Sequence, residues 1–275
     1  MRIVILGSST YSETACAMAN QLAECGYVPV GAIALSTLES RTLLRKLAQW
    51  GLRDMARYAG SKLIAHKSDR QWKVRNPYLR PLLKHAVSLR DVGALYGFPV
   101  AVCRDQNAPD SIERIRQWTP DLVVFTGGNI LRKPLLEVPR LGVMNVHLGL
   151  LPEIRGMSSP EWSLIKRIPV GITIHFMNAG IDTGPVLQRY EFSNASCCES
   201  LSDLRNRLIA FGIEKMADVV AALDRGEMCP VPQSDLDKDE DKDNQYFVMH
   251  EWLEARAAEE LTRRRVRTVS RTVHG

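Results

Sequence analysis

No apolar run in this 275-residue chain approaches the roughly 18 residues that a membrane span requires, so a transmembrane protein is excluded at the outset. The opening Met1-Arg2-Ile3-Val4-Ile5-Leu6-Gly7 is too short an apolar stretch for a signal-peptide core, and Gly7 already reads as a turn. Cysteine is sparse and unpatterned. Its six positions (Cys16, Cys25, Cys103, Cys197, Cys198, Cys229) give no C-x-x-C pair, which removes zinc ribbons and disulfide scaffolds and points to a reduced, cytoplasmic setting. No G-x-G-x-x-G follows the first apolar run, so a dinucleotide-dependent dehydrogenase is disfavoured, and no internal repeat is found. What is present is ordinary for a globular chain: 45% hydrophobic and 24% charged residues argue against disorder.

The apolar rhythm predicts an α/β sheet. Residues 2–7 form a short apolar run ended by Gly7-Ser8-Ser9, and Ala15, Met18, Ala19 and Leu22 follow at helical spacing behind Ser12, a suitable N-cap. Tyr27–Ile33 reads as a second strand, and strand, helix, strand at this spacing opens a parallel sheet. The pattern resumes with strands at Phe98–Val102, Leu122–Thr126 and Val143–His147 and a helix around Ser111–Trp118. Gly171–Met177 and Pro185–Phe192 read as two further strands, and Ser200–Leu223 as a helix with Leu204, Leu208, Phe211 and Met216 on one face.

Two segments break this alternation. Residues 41–91 carry 13 Lys/Arg against 3 Asp/Glu, although the whole chain is only +5, and Leu43, Leu47, Trp50 and Met55 keep a helical rhythm there. This basic helical insertion is either a solvated face or a surface for something anionic. Its aromatic residues are scattered rather than interleaved, which disfavours nucleic acid as the partner. The second segment is the tail after Gly226: an acidic-mixed stretch at 235–243, an amphipathic candidate around Tyr246–Leu261, then the cluster Arg263–Arg267. The expected organisation is a catalytic domain over residues 1–225, with the helical insertion at about 38–95, and a polar C-terminal extension over 226–275.

Chemistry concentrates between Asp121 and Tyr190. Asn145 and His147 stand two apart at the end of an apolar strand, so both side chains leave the same face, at the carboxyl edge where open α/β sheets bind ligands. The Pro/Gly-bounded loop Leu150–Gly156 follows at once and is placed to cover one edge of a cleft. Asp182 comes 35 residues after His147, in the turn Gly180-Ile181-Asp182-Thr183-Gly184-Pro185. An amide, an imidazole and a carboxylate on neighbouring strand ends suit a reaction that builds and collapses a tetrahedral oxyanion. His175 alternates with Ile174 and is read as support for the sheet edge, not as a second catalyst.

Met144-Asn145-Val146-His147-Leu148-Gly149-Leu150-Leu151-Pro152, then Arg155-Gly156, then Gly171–Phe176 through Asp182-Thr183-Gly184-Pro185, resemble the folate-dependent formyltransferase family. That family includes glycinamide ribonucleotide transformylase, methionyl-tRNA formyltransferase and amino-sugar N-formyltransferases. The resemblance is close over about Asp121–Phe192 and holds in outline at the amino-terminal strands. It implies a Rossmann-like, mostly parallel twisted sheet with helices on both faces. It also implies Asn145, His147 and Asp182 as the catalytic set, 10-formyltetrahydrofolate as formyl donor and no metal. The implied acceptor is the amine of a small metabolite, an amino sugar or an amino-acid-derived precursor, with an anionic one admitted. Folate-binding positions fall on Thr126, Gly127, Gly128, Asn129, Ile130 and Leu131, and on Asn178, Gly180 and Ile181. Ser8, Ser9 and Arg155 are assigned to the acceptor side; for the Gly127-Gly128 pair an ordinary strand-end turn is the alternative.

Three departures bear on the substrate. Many relatives have Ser where Gly149 stands, the turn Gly7–Ser12 lacks the Gly-Ser-Asn phosphate loop of the purine enzymes, and the roughly 50 residues after Gly226 are too few for the β-rich C-terminal domain of the tRNA enzymes. The alternatives are a 10-formyltetrahydrofolate hydrolase, a methionyl-tRNA formyltransferase, and a non-catalytic folate- or RNA-binding descendant. A homodimer is left open.

Overall fold

The computed structural model describes residues 1–36, 74–236 and 244–273, with side chains described as far as Val266. Most of the basic insertion expected at about 38–95, including the rhythm at Leu43, Leu47, Trp50 and Met55, lies outside the described residues.

Strand β1 (Ile3–Gly7) is buried at all five positions, and Ile3, Ile5 and Leu6 are fully removed from water, each stabilising by about 1.5–3 kcal/mol. Helix α1 (Glu13–Glu24) begins where expected: Ser12 is extended, and its Oγ accepts from the Ala15 amide at 3.3 Å. Strand β2 (Gly31–Leu35) starts four residues later than the apolar run suggested. The amides of Cys25, Gly26 and Tyr27 all still donate to carbonyls of α1, so the chain is closing the helix as far as Tyr27.

After the short helix α2 (Arg80–Leu83), the alternation continues through α3 (Leu89–Tyr96), β3 (Val100–Cys103), α4 (Pro109–Gln117), β4 (Leu122–Phe125), α5 (Lys133–Leu136) and β5 (Gly142–His147). Then come β6 (Arg155–Gly156), α6 (Ser159–Lys166), β7 (Gly171–Phe176), β8 (Val186–Glu191), α7 (Leu201–Asp224), β9 (Gln245–Tyr246) and α8 (Glu251–Val273).

The large sheet has the order β3-β2-β1-β4-β5-β7-β8. Its first five strands are parallel, and β7 is antiparallel to both β5 and β8. Alternation along β1 feeds two cores. Ile3 and Ile5 pack with α1 and α7 on one face, while Val4 and Leu6 pack with Ile112 and Ile115 of α4 and Leu135 of α5 on the other. This is the expected Rossmann-like α/β architecture with helices on both faces. The strand order reverses between β1 and β4, and at such a switch point the carboxyl ends of the two strands open a crevice.

The carboxyl-terminal segment packs on the domain. Met249, Ala257 and Leu261 are buried against Leu164, Ile172, Leu204 and Leu208. Strand β9 pairs with β6, so the tail lies against the loop that follows β5. Among the described residues no helix is long and apolar enough to cross a membrane.

Candidate active site

Strand β5 carries Asn145 and His147 on one face, and its antiparallel register against β7 sets Asn145 opposite His175 and His147 opposite Thr173. Cross-strand partners on one face approach closely, and the Asn145 Nδ2 group stands 3.3 Å from His175 Nε2. Thr173, fully buried, ties down the next loop: its Oγ donates to the Gly149 carbonyl at 2.7 Å and accepts from the Leu151 amide at 3.0 Å.

Asp182 arrives from the turn after β7 with φ +52°, a left-handed conformation that Asp tolerates better than most residues. Its Oδ2 accepts from the Gly156 amide at 2.9 Å and faces His147 Nδ1 at 3.3 Å, and its Oδ1 lies 3.7 Å from His175 Nε2. The catalytic set read from the sequence is thus assembled around one carboxylate, with His175 added to it. His175 is more than support for the sheet edge, since it bridges the space between Asn145 and Asp182.

Hydrogen bonds fix the tautomer of His175. His175 Nδ1 donates to the Phe176 carbonyl at 2.9 Å, so its Nε2 is the acceptor for the Asn145 amide. Burial first, and then the neighbouring His147, push the His175 imidazole down from 6.5 to about 4, which keeps it neutral and able to accept. His147 Nε2 donates to the Ile154 carbonyl at 2.7 Å while Nδ1 faces the carboxylate. Gly149 makes room for this contact, because a Cβ there would lie 2.9 Å from His147 Nε2 and 3.0 Å from the Ser159 Cβ.

The other wall of the crevice is built from the ends of β1 and β4. Gln106, fully buried, donates through Nε2 to the carbonyls of Gly7 (3.2 Å) and Gly127 (3.4 Å), and its Oε1 accepts from the Asn129 amide at 3.1 Å. Gly128 (φ +145°) lies hard against this amide, where no Cβ fits. Ser8 flanks Gly127 across the crevice.

Of the positions assigned to folate, Thr126 and Gly127 line a cavity of about 240 Å³, Ile130 is 80% exposed, and Leu131 is buried in the core with Val4 and Leu6. Asn178 caps its own turn, its Oδ1 accepting from the Gly180 amide and the Thr183 hydroxyl, and Ile181 is exposed. Arg155, assigned to the acceptor side, gives its Nε to Gln233 Oε1 at 2.9 Å. The cavity is walled by Met18, Phe125, Val146, Leu148, Ile209 and Ile213; Thr14, Thr126 and Asn145 are its polar residues, and among the described residues none that lines it is charged. Among the described residues, no group of three or more His, Cys, Asp or Glu is placed to hold a metal ion.

Sequence reasoning missed the Gly156 amide, the Ile154 carbonyl and the two buried glutamines. Apart from the Arg155 side chain on Gln233, each of these contacts joins a side chain to main chain brought close by the fold, and no local residue pattern marks them.

Residues 60–220 match the family described as formyl transferase. A methionyl-tRNA formyltransferase from Citrifermentans bemidjiense is 36% identical over 146 residues, covering 52% of this chain and 46% of that protein. The chain therefore spans about half the length of the curated relatives it matches. Two solved structures share the fold at low sequence identity. Glycinamide ribonucleotide transformylase 1 from Symbiobacterium toebii has a TM-score of 0.53 at 17% identity, covering 82% of this chain and 88% of that one. A sugar N-formyltransferase from a Shewanella species has a TM-score of 0.55 at 15% identity, covering 95% of this chain and 87% of that one.

Proposed function

The chain belongs to the formyl transferase family, and from that premise we propose that it moves a formyl group from 10-formyltetrahydrofolate to a primary amine through Asn145, His147 and Asp182. One observation carries this reading: Asp182 Oδ2 takes the Gly156 amide and faces His147, beside an Asn145 amide aimed by a neutral His175.

In this reading the neutral amine attacks the formyl carbon. The new C–N bond forms as the carbonyl π pair moves onto oxygen, and a primary amide has a second Nδ2 proton for that oxyanion once one is given to His175. Protonated, His147 places positive charge beside the developing oxyanion, with the Asp182 carboxylate 3.3 Å from its Nδ1. Asp182 balances that charge and stands close enough to relay, through water, the proton lost by the amine. Collapse of the tetrahedral adduct breaks the bond to the folate nitrogen, which takes up the proton, and leaves a formamide and tetrahydrofolate. The donor is read against the β4 wall, where Thr126 and Gly127 offer main-chain groups to a flat polar ring.

The acceptor in this reading is the amine of a small metabolite, an amino acid derivative or an amino sugar, and the cavity beside Asn145 is the one given to the donor through Thr126 and Gly127. A second reading, methionyl-tRNA as acceptor, is favoured by the similarity to enzymes of that name. The test is a product-mass screen with 10-formyltetrahydrofolate and three acceptor classes: apolar amino acid esters, amino-sugar nucleotides and methionyl-tRNA. A formylated ester or sugar nucleotide supports the first reading, and formylated methionyl-tRNA the second. Formate released from the donor alone, with no amine formylated, would make the protein a hydrolase.

A further inference from the structure

The segment following α7 fastens to the catalytic turn through one side chain. Gln233 is 5% exposed, and its Nε2 donates to two carbonyls, those of Asp182 and Gly184, each at 2.8 Å. Those carbonyls belong to the 182–183 and 184–185 peptide units, so the two bonds fix the chain on the carboxyl side of the left-handed Asp182. The other end of the same amide, Oε1, accepts from Arg155 Nε at 2.9 Å. Arg155 is the residue before Gly156, whose amide donates to the Asp182 carboxylate. A single buried amide therefore joins the turn that carries the carboxylate to the strand that supplies its main-chain donor. Gln233 also lies outside the 60–220 stretch that defines the family match.

We propose that Gln233 is a positioning residue for the transfer reaction, holding Asp182 at the distance from His147 and Gly156 that the chemistry requires. The proposal rests on the function proposed above for Asp182. Its physical basis is that only a primary amide offers two donors and an acceptor in one plane. A carboxylate would keep the acceptor for Arg155 but would turn both donations into repulsion against carbonyls. A thioether of the same length would take this partner from three polar groups that are buried or partly buried. Misplacement of a catalytic group by about 1 Å can cost about 10²-fold in rate, so a side chain that never touches substrate can govern turnover.

The test compares the full-length wild type with Gln233→Met and Gln233→Glu. Two readouts are used: the His147 ring resonances by ¹⁵N NMR, and kcat and donor KM with 10-formyltetrahydrofolate and the acceptor that the screen finds. In both variants the His147 resonances are expected to move, kcat to fall at least about 10-fold, and donor KM to stay within about 2-fold. Gln233→Glu matches the volume of the native side chain and keeps Arg155 paired, so it remains informative where Gln233→Met lowers the melting temperature too far. Wild-type resonances in a folded variant overturn the proposal, and so does a change confined to donor KM. If the wild type transfers no formyl group, the functional reading fails by itself, and the NMR comparison still decides whether Gln233 sets the His147–Asp182 geometry.

Discussion

The two walls of the crevice are held by the same device and present different chemistry. On the β1/β4 side, buried Gln106 pins Gly7, Gly127 and Asn129, and what faces the crevice there is neutral backbone and small side chains. On the β5/β7 side, buried Gln233 pins Asp182, Gly184 and Arg155, and what it organises is an ionisable set of two imidazoles and a carboxylate. Fixed main chain suits recognition of a flat polar ligand, whereas charge held in a fixed geometry suits stabilisation of a transient oxyanion. The contrast separates binding from turnover, and perturbing each wall should move a different kinetic constant.

The largest effect is expected at the charged centre of the β5/β7 wall. Asp182→Asn keeps an oxygen for the Gly156 amide and removes the charge facing His147, so kcat should fall about 10²–10³-fold while donor affinity holds. Steady-state kinetics paired with calorimetric binding of a folate analogue checks this. Wild-type turnover in the variant would take Asp182 out of the mechanism.

Next in size is the pH dependence written into the same wall. In the unfolded chain His175 takes a proton near its ordinary 6.5, while in the fold burial delays this to about 4. Between those values unfolding takes up a proton, so stability is complete above about pH 6.5 and declines as pH falls toward 4. The loss attributable to His175 is on the order of 3 kcal/mol. Urea unfolding at pH 7, 5.5 and 4 measures it, and His175→Gln, which titrates nowhere in that window, should flatten the decline. An equal slope in both proteins would show that His175 is not its source.

The walls also differ in how far the residues announced them. Strands β1, β4, β5 and β7 were legible because burial on a sheet imposes a local apolar pattern, and Asn145 and His147 share a face by simple alternation. Asp182 was legible through its motif. The part of His175 was not, because its effect depends on the cross-strand register that sets it opposite Asn145. Gln233 was invisible for a stronger reason, since its partners lie 78, 51 and 49 residues away along the chain. The tail read as amphipathic around Tyr246–Leu261. Its first residues pair with β6 instead, and α8 begins only at Glu251, so periodicity found the apolar face without finding what it covers.

The smallest effect, and the one that completes the separation, belongs to Gln106. Gln106→Met preserves length and volume but leaves the Asn129 amide and the carbonyls of Gly7 and Gly127 without the partner they now have. Stability should fall by about 1–3 kcal/mol, the ordinary consequence of buried polar groups losing a hydrogen bond. The Gly127–Asn129 main chain would loosen while Asn145, His147 and Asp182 stay in place, because no hydrogen bond of Gln106 reaches them. Donor KM should therefore rise, by about 10-fold, with kcat within about 2-fold, the inverse of the pattern expected for Gln233. Thermal melting and a donor titration measure both quantities on one preparation. A fall in kcat at unchanged KM would mean that the β1/β4 wall takes part in the chemical step and that binding and turnover are not divided between the two glutamines.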